Sequence, residues 1–194
     1  MPGPVVAEGD RVTLRTVERD DAAFRQQAST HPGIRYSLGV AQHRNAAEAE
    51  GLVESMDEGG DRLAFVVCLD GEDAPAGSPG DDETERIGLV HAYELDSERA
   101  HLAYWLRPAF HGEGYGREAA GLLVDRVFRV SSVHSAGAGA FAYNEPSRRI
   151  LESLGFVEES RARAAEYVDG AYRDVVQYGL LRREWASDCV PTEQ

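Results

Sequence analysis

The stretch from residue 101 to residue 130 limits the possible folds of this chain more than any other part. It reads as a strand (HLAYWLR), then a loop with glycine at positions 112, 114 and 116, then a helix with an apolar stripe. The free N–H groups of a helix's first turn and the positive end of the helix dipole attract anionic oxygens, and glycine lets them come close. The stretch therefore predicts an α/β fold with a phosphate-binding loop between a strand and a helix. A simple tight turn is the alternative.

Two common nucleotide-binding motifs do not match this loop. A P-loop requires lysine and then serine or threonine after its last glycine, whereas Arg117 and Glu118 follow Gly116. A dinucleotide fingerprint requires G-x-G-x-x-G in a leading βαβ unit, whereas G-x-G-x-G stands here, late in the chain. The ligand should carry phosphate, but neither motif identifies it.

The remaining patterns predict the element order β-α-α-β-β-β-α-β-α-β-β, a mixed α/β fold in which antiparallel hairpins precede two strand-to-helix units. The strands that can be placed along the sequence are 11–17, 62–70, 86–95, 99–107, 134–143 and 173–185. The helices are 18–30, 45–59, 115–130 and 144–156. The length favours one domain over residues 1–194, with a polar Gly/Pro-rich loop at 71–85 and a polar tail at 186–194.

The charge of the chain is strongly acidic. The formal net charge is -14, and all 20 basic residues are arginines. Such a surface argues against nucleic acid and anionic membranes as partners. It predicts a halophilic protein, because concentrated salt screens the self-repulsion of the carboxylates. The arginine-rich codons of a GC-rich genome are the alternative explanation, although they do not account for the acidic excess.

The sequence contains neither an apolar run of membrane-spanning length nor a signal pattern at its start (MPGPVVAEGD). Its two cysteines, Cys68 and Cys189, do not form a disulfide framework, and we expect no metal site. A reducing cytoplasm is the predicted location.

Three segments together resemble the GCN5-related N-acetyltransferase (GNAT) family, in particular its RimJ/RimL-like branch, which acetylates the N-termini of ribosomal proteins. They are YWLRPAFHGEGYGREAAGLLVDRVF, NEPSRRILESLGF and RDVVQYGLLRREW. The resemblance runs from residue 11 to Trp185 and is weakest over 30–85. It implies a mostly antiparallel central sheet flanked by helices, with acetyl-coenzyme A (acetyl-CoA) as cosubstrate.

The resemblance also implies where acetyl-CoA binds. The family's pyrophosphate loop follows Q/R-x-x-G-x-G/A, which Gly114 and Gly116 match, while His111 stands where glutamine or arginine is usual. The residues expected to hold the pyrophosphate are His111, Gly112, Glu113, Gly114, Tyr115, Gly116 and Arg117. The pantetheine would lie beside the YWLRP strand. Asn144 would bond a pantetheine amide, and a helix N-cap is a second role that it can fill at the same time.

The chemistry sets further requirements. A neutral amine attacks the thioester carbonyl, so the site needs a donor for the oxyanion and a group that accepts the amine's proton. A backbone N–H near Leu106 is the simplest oxyanion donor. Proximity in a ternary complex makes a covalent enzyme intermediate unnecessary. Cys68 is therefore expected to be a small buried hydrophobe.

The general base has several candidates. His101 begins the strand that leads into the loop, at a position where the family often has glutamate, and histidine titrates in the useful range. His91 and Glu166 are the alternatives. The alternative for each histidine is that it lies at the edge of the sheet and has no catalytic role.

Ser147 is the candidate for protonating the departing thiolate. The family's better-known pattern N-x-x-A-x-x-x-Y places a tyrosine acid at the position of Leu151, so that acid is absent. Ser147 lies one helical turn earlier, and the ribosomal N-terminal branch carries serine there. Satisfying a free backbone N–H in the first helical turn is the alternative role.

The expected function is transfer of an acetyl group from acetyl-CoA to a primary amine, by direct attack in a ternary complex. The N-terminal α-amino group of a protein or peptide is the first choice of acceptor. A small amine, such as an amino acid, a polyamine or an aminoglycoside-like compound, is the second. A non-catalytic acyl-CoA sensor and a purely structural domain are the other functions considered, and the protein is expected to be a monomer or a homodimer.

Overall fold

Eight strands form one sheet in the computed structural model, which describes residues 2–54, 60–80 and 82–185. The strands are β1 (Val5–Glu8), β2 (Thr13–Thr16), β3 (Leu63–Asp70), β4 (Thr84–Tyr93), β5 (Arg99–Leu106), β6 (Ser135–Phe141), β7 (Val157–Val168) and β8 (Ala171–Leu181). The helices are α1 (Ala22–Thr30), α2 (Pro32–Leu38), α3 (Ala46–Glu54), α4 (Tyr115–Val130) and α5 (Glu145–Ser153). The strand order is β1-β2-β3-β4-β5-β6-β8-β7. The predicted mixed, mostly antiparallel sheet flanked by helices is confirmed.

The centre of this sheet is not fully paired. β5 and β6 are its parallel pair, and their register covers only Arg99–His101 against Ser135–Gly137. β5 stays paired with β4 as far as Leu106, and β6 stays paired with β8 as far as Phe141. The two strands therefore part after three residue pairs, and a gap opens between them.

Helix α4 confirms the apolar stripe that the sequence predicts. Its buried residues include Ala119, Ala120, Leu123, Val124, Val127 and Phe128. They belong to the main core cluster, together with Ile87 and Val90 of β4. Because this stripe fixes α4 against the sheet, the start of the helix is held at the end of β5.

Several short elements differ from the sequence prediction. The first helix begins at Ala22 and not at residue 18, because Asp21 is fully buried, accepts a hydrogen bond from the Glu18 N–H at 2.9 Å and pairs with Arg86 at 3.0 Å. These contacts hold Arg19–Asp21 in a 3-10 turn.

Helix α2 and strand β1 are absent from the prediction. β1 has four residues, which is too few for a recognisable alternation. α2 has seven residues, with Pro32 in its first turn and Gly39 ending it at a φ of 68°. The predicted helix 45–59 is observed over Ala46–Glu54, and its last five residues lie outside the described residues.

The predicted loop 71–85 is fixed to the sheet by a buried arginine. Arg15 is fully buried and pairs with Asp70 at 2.8 Å, and it donates to the carbonyls of Pro75 at 2.9 Å and Gly77 at 2.7 Å. β4 begins at Thr84, two residues before the predicted strand.

Cys68 lies in the core, as expected. The side chain is fully buried in β3, and burial raises the pKa of its thiol to about 12, so it is not a nucleophile at neutral pH. Cys189 and the predicted tail 186–194 lie outside the described residues. In the part of the chain that the structure describes, no helix has both the length and the apolar character needed to cross a bilayer.

The acidic excess leads to a prediction about stability in salt. We expect the melting temperature to be at least about 4 °C higher in molar potassium chloride than in dilute buffer, because a Debye length of about 3 Å removes most of the self-repulsion. Differential scanning calorimetry over a salt series measures this. Sodium chloride should give the same rise as potassium chloride, and a flat or falling melting temperature would instead favour codon bias as the origin of the composition.

Candidate active site

A cleft of about 650 Å³ occupies the gap between β5 and β6. β5 contributes Leu102–Leu106 to its walls, and β6 contributes the small residues Ala138–Ala140. Side chains of α2 and α5 and the start of α4 complete the lining. The backbone of two strands is therefore accessible from inside the cleft.

The glycine-rich loop forms one end of this cleft. Gly112, Gly114 and Gly116 all line it, and Gly112 and Gly114 each have a φ of 87°, a conformation that favours glycine. The first turn of α4 follows, where the N–H groups of Arg117 and Glu118 donate to the Gly114 carbonyl at 3.1 and 3.2 Å. The N–H groups that precede them at a helix start have no carbonyl of the helix to bond to and are available to an anion. A Cβ at position 116 would lie 3.0 Å from Cδ1 of Ile150 and 3.5 Å from Cδ1 of Leu106. The loop thus presents backbone donors to the cleft, and a side chain at 116 would press against Ile150.

A pair of residues that the sequence did not single out holds the loop in place. Oε1 of Glu118 accepts hydrogen bonds from the N–H groups of Arg11 at 2.7 Å and Val12 at 3.0 Å. The Arg11 guanidinium donates to the Glu113 carbonyl at 2.8 Å and lies 5.0 Å from the ring centroid of Tyr115. Glu113 and Tyr115 therefore support the loop from behind and do not line the cleft.

His111 ties the loop to the preceding strand. Its Nε2 lies 3.0 Å from the Leu106 carbonyl oxygen, so the ring donates to that oxygen. His111 and Leu106 both line the cleft, as does Arg117. Histidine is unusual for the family at position 111, and this hydrogen bond gives it a local role that does not depend on a ligand.

Asn144 caps helix α5 at the other side of the cleft. Its Oδ1 accepts from the Ser147 N–H at 3.3 Å, and its Nδ2 donates to the Ser37 carbonyl at 3.3 Å. Both Asn144 and Ser147 line the cleft. The capping role expected for Asn144 is present, and it also links α5 to α2.

Ser147 is hydrogen bonded to a tyrosine of the opposite wall. The Tyr104 hydroxyl lies 3.0 Å from Oγ of Ser147 and 3.1 Å from the Ser147 carbonyl oxygen. Burial raises the pKa of Tyr104 well above its usual range, so the phenol is protonated at neutral pH. The pair brings two hydroxyl groups together in the middle of the cleft.

Comparison with known proteins identifies the kind of site. A family model described as an acetyltransferase (GNAT) domain matches residues 11–157. The chain belongs to the GNAT family. Its cosubstrate is acetyl-CoA, and it is an acetyl-CoA-dependent N-acetyltransferase.

Individual relatives differ in their named acceptors. A putative ribosomal N-acetyltransferase of Bacillus subtilis (strain 168) is 34% identical over 103 residues, which cover 52% of this chain and 56% of that protein. A spermidine N(1)-acetyltransferase of Escherichia coli (strain K12) is 23% identical over 179 residues, covering 91% of this chain and 89% of that protein. The crystal structure of spermidine N-acetyltransferase from Vibrio cholerae in complex with CoA and spermine has a TM-score of 0.76 and 22% identity, covering 90% of this chain and 97% of that one.

The cleft of this GNAT protein suits acetyl-CoA. The glycine loop and the helix start offer donors for a pyrophosphate, and the gap between β5 and β6 offers main-chain groups to a pantetheine arm. Of the residues predicted to bind the cosubstrate, the cleft is lined by Leu106, His111, Gly112, Gly114, Gly116, Arg117, Asn144 and Ser147.

The structure does not bring the three candidate bases into the acetyl-CoA cleft. His101 stacks on Tyr93 at 5.5 Å and lies 3.5 Å from Glu94, outside the residues that line the cleft. Glu166 lies in the exposed strand β7, opposite Arg173.

His91 is a poor base in this environment. Burial and the charges of Arg25 and Arg62 lower the pKa of His91 to about 4, so its ring is neutral at pH 7 and a weak proton acceptor. It lines a separate, smaller pocket. Among the described residues, no group of histidine, cysteine, aspartate and glutamate side chains could hold a metal ion.

Proposed function

We propose that this GNAT protein acetylates the N-terminal α-amino group of a protein or peptide. The observation that carries the proposal is the serine of α5 in the cleft, at the position where the ribosomal N-terminal branch has serine, bonded to Tyr104 at 3.0 Å. The B. subtilis relative named as a putative ribosomal N-acetyltransferase supports the same acceptor. We also propose that residues 1–194 act as one domain, as a monomer or a homodimer.

A polyamine is the second candidate acceptor. The relative named as a spermidine acetyltransferase covers more of the chain, although its identity is lower. The net charge of -14 also suits a cationic acceptor.

The proposed mechanism assigns a separate task to each part of the cleft. The amine attacks the thioester of acetyl-CoA directly, and the acetyl group moves to the nitrogen as the thiolate departs. The loop of Gly112, Gly114 and Gly116 holds the pyrophosphate, and Asn144 orients the pantetheine arm. A backbone N–H near Leu106 stabilises the oxyanion.

Two hydroxyl groups serve the departing thiolate in this mechanism. Ser147 donates a proton or a hydrogen bond to it, and Tyr104 positions Ser147, because its hydroxyl donates to the Ser147 carbonyl at 3.1 Å and lies 3.0 Å from Oγ. His101 remains the proposed base and acts through water. It lies two residues before Ala103, which lines the cleft, on the same face of β5.

The acceptor is tested by comparing matched amines. Free-thiol release from acetyl-CoA is measured with a peptide that has a free N-terminus, with the same peptide blocked by N-acetylation, and with spermidine. We expect kcat/KM for the free peptide to exceed that for spermidine by about tenfold or more, and no turnover of the blocked peptide. Mass spectrometry locates the acetyl group.

The remaining outcomes distinguish the alternatives. A larger kcat/KM for spermidine would replace the peptide by a polyamine as acceptor. Tight binding of CoA in calorimetry without acetylation of any amine would indicate a sensor.

A further inference from the structure

A second pocket, of about 170 Å³, lies on the sheet beside the acetyl-CoA cleft. Helices α1 and α3 and strands β3 and β4 enclose it. Its polar lining consists of Arg25, Arg62, His91 and Tyr93. Two arginines and a histidine thus meet in one small pocket of a strongly acidic protein.

Two polar side chains of this pocket have unmet hydrogen-bonding capacity. Nε of Arg25 and Nδ1 of His91 are buried, and neither has a hydrogen-bond partner among the described residues. Arg62 forms an ion pair with Asp61 at 3.6 Å, where half of the arginine side chain is exposed. A buried polar atom without a partner is costly, and the Nε–H of Arg25 in particular requires an acceptor.

The electrostatic potential of the pocket is expected to be positive, because arginine side chains surround it. Burial, together with the charge of Arg44, lowers the pKa of Arg25 to about 10. The charges that lower the pKa of His91 are those of Arg25 and Arg62. Burial is the larger cause of both shifts and neighbouring cations add to it, so an anion in the pocket would stabilise the charged form of Arg25.

The pocket lies next to the acetyl-transfer cleft on the sheet. His91 of β4 lies directly opposite Ala103 of β5, and Ala103 lines the cleft. Directly opposed residues on one sheet face have Cβ atoms about 5 Å apart. Helix α1 reaches both sites, because Phe24 packs on Trp105 of the cleft at 5.2 Å while the next residue, Arg25, lines the pocket.

We propose that the pocket of Arg25, Arg62 and His91 binds a carboxylate, and that this carboxylate is an acidic side chain of the amine acceptor. The planar guanidinium groups of arginine match a carboxylate in charge and geometry. The pocket volume accommodates a carboxylate on a short stem. This assignment rests on the proposed peptide acceptor and narrows it to peptides with an acidic residue close to the free amine.

Matched peptides test the source of the carboxylate. We expect peptides with glutamate at the second or third position to have kcat/KM about tenfold above that of otherwise identical glutamine peptides. Arg25→Met should reduce this ratio to about 1, whereas Arg25→Lys should retain part of it. The control variant is Arg19→Gln, which removes the same charge from a side chain that is 78% exposed and does not line the pocket.

Direct binding tests the pocket independently of any acetylation. Sodium succinate is the probe, and thermal shift is measured against sodium chloride at equal ionic strength. We expect succinate to raise the melting temperature of the parent protein and of Arg19→Gln, and to have no such effect on Arg25→Met or Arg62→Met. Arg25 is half-buried and its Nε has no partner among the described residues, so Arg25→Met should remain folded. Arg62→Met provides a second variant at a half-exposed position.

The two measurements separate the possible failures. Absence of a succinate effect together with equal kcat/KM for the two peptides would overturn the pocket itself. A succinate effect that Arg25→Met abolishes, without any difference between the peptides, would identify a free anion as the ligand and overturn its assignment to the acceptor. Turnover of spermidine alone would reject the peptide acceptor, while the succinate result would still decide whether the pocket binds carboxylate.

Discussion

Gly116→Val will raise the dissociation constant of acetyl-CoA by about 100-fold or more, as measured by titration calorimetry. A Cβ at this position would already lie 3.0 Å from Ile150 and 3.5 Å from Leu106, and both of these residues line the cleft. The two methyl groups of valine must therefore displace the cleft walls or occupy the space beside the helix start, where the pyrophosphate is proposed to bind.

The control for this change is Gly51→Val. Gly51 lies in α3, where a Cβ would have no heavy atom within 4 Å, so the same substitution should leave the affinity unchanged. Gly114→Val should also abolish binding, but the φ of 87° at that position adds backbone strain to the effect. A dissociation constant of Gly116→Val close to that of the parent protein would show that the loop is only a turn.

Ser147→Ala will lower kcat by about 10-fold to 1,000-fold with little change in acetyl-CoA affinity, the pattern of an interaction made mainly in the transition state. Tyr104→Phe should lower kcat as well, since it removes the hydroxyl that lies 3.0 Å from Oγ of Ser147. If Tyr104 acts through Ser147, the double variant should be no slower than Ser147→Ala alone. Rapid-quench kinetics measure the chemical step in all three variants.

Ser153→Ala provides the matched control on the same helix. Ser153 is exposed, and its hydroxyl donates to the Ile150 carbonyl at 2.8 Å, so its loss should leave kcat unchanged. Unchanged turnover of Ser147→Ala, with chemistry rate-limiting, would return this serine to a purely structural role. Additive losses in the double variant would show that Tyr104 acts on the substrate independently of Ser147.

Local sequence patterns predicted the elements that position the site. The stripe of α4 is visible because core-facing residues of a helix recur every three or four positions. Helix α5 is visible because its ends carry strong signals, with Asn144 as N-cap, Pro146 in the first turn and Gly155 just beyond the end at a φ of 88°. β1 and α2 were missed because four and seven residues are too few to show a period.

The contacts that complete the site come from residues far apart in the sequence. Arg11 and Glu118 are separated by 107 residues, and Tyr104 and Ser147 by 43. No local pattern encodes such pairs, because they depend on the order of strands in the sheet. The alternation of β5 also did not show that His101 falls outside the cleft while Tyr104, three residues later, lines it.

The early parting of β5 and β6 has a consequence for how the family diversifies. Beyond three residue pairs the sheet has an internal edge, whose main-chain groups face the cleft and not another strand. Main-chain groups are nearly the same for every residue type, so a cosubstrate that is bound through them constrains few side chains. Substitutions around the acceptor can therefore accumulate without loss of the acetyl donor, and proteins that share this architecture can serve acceptors as different as a ribosomal protein and a polyamine.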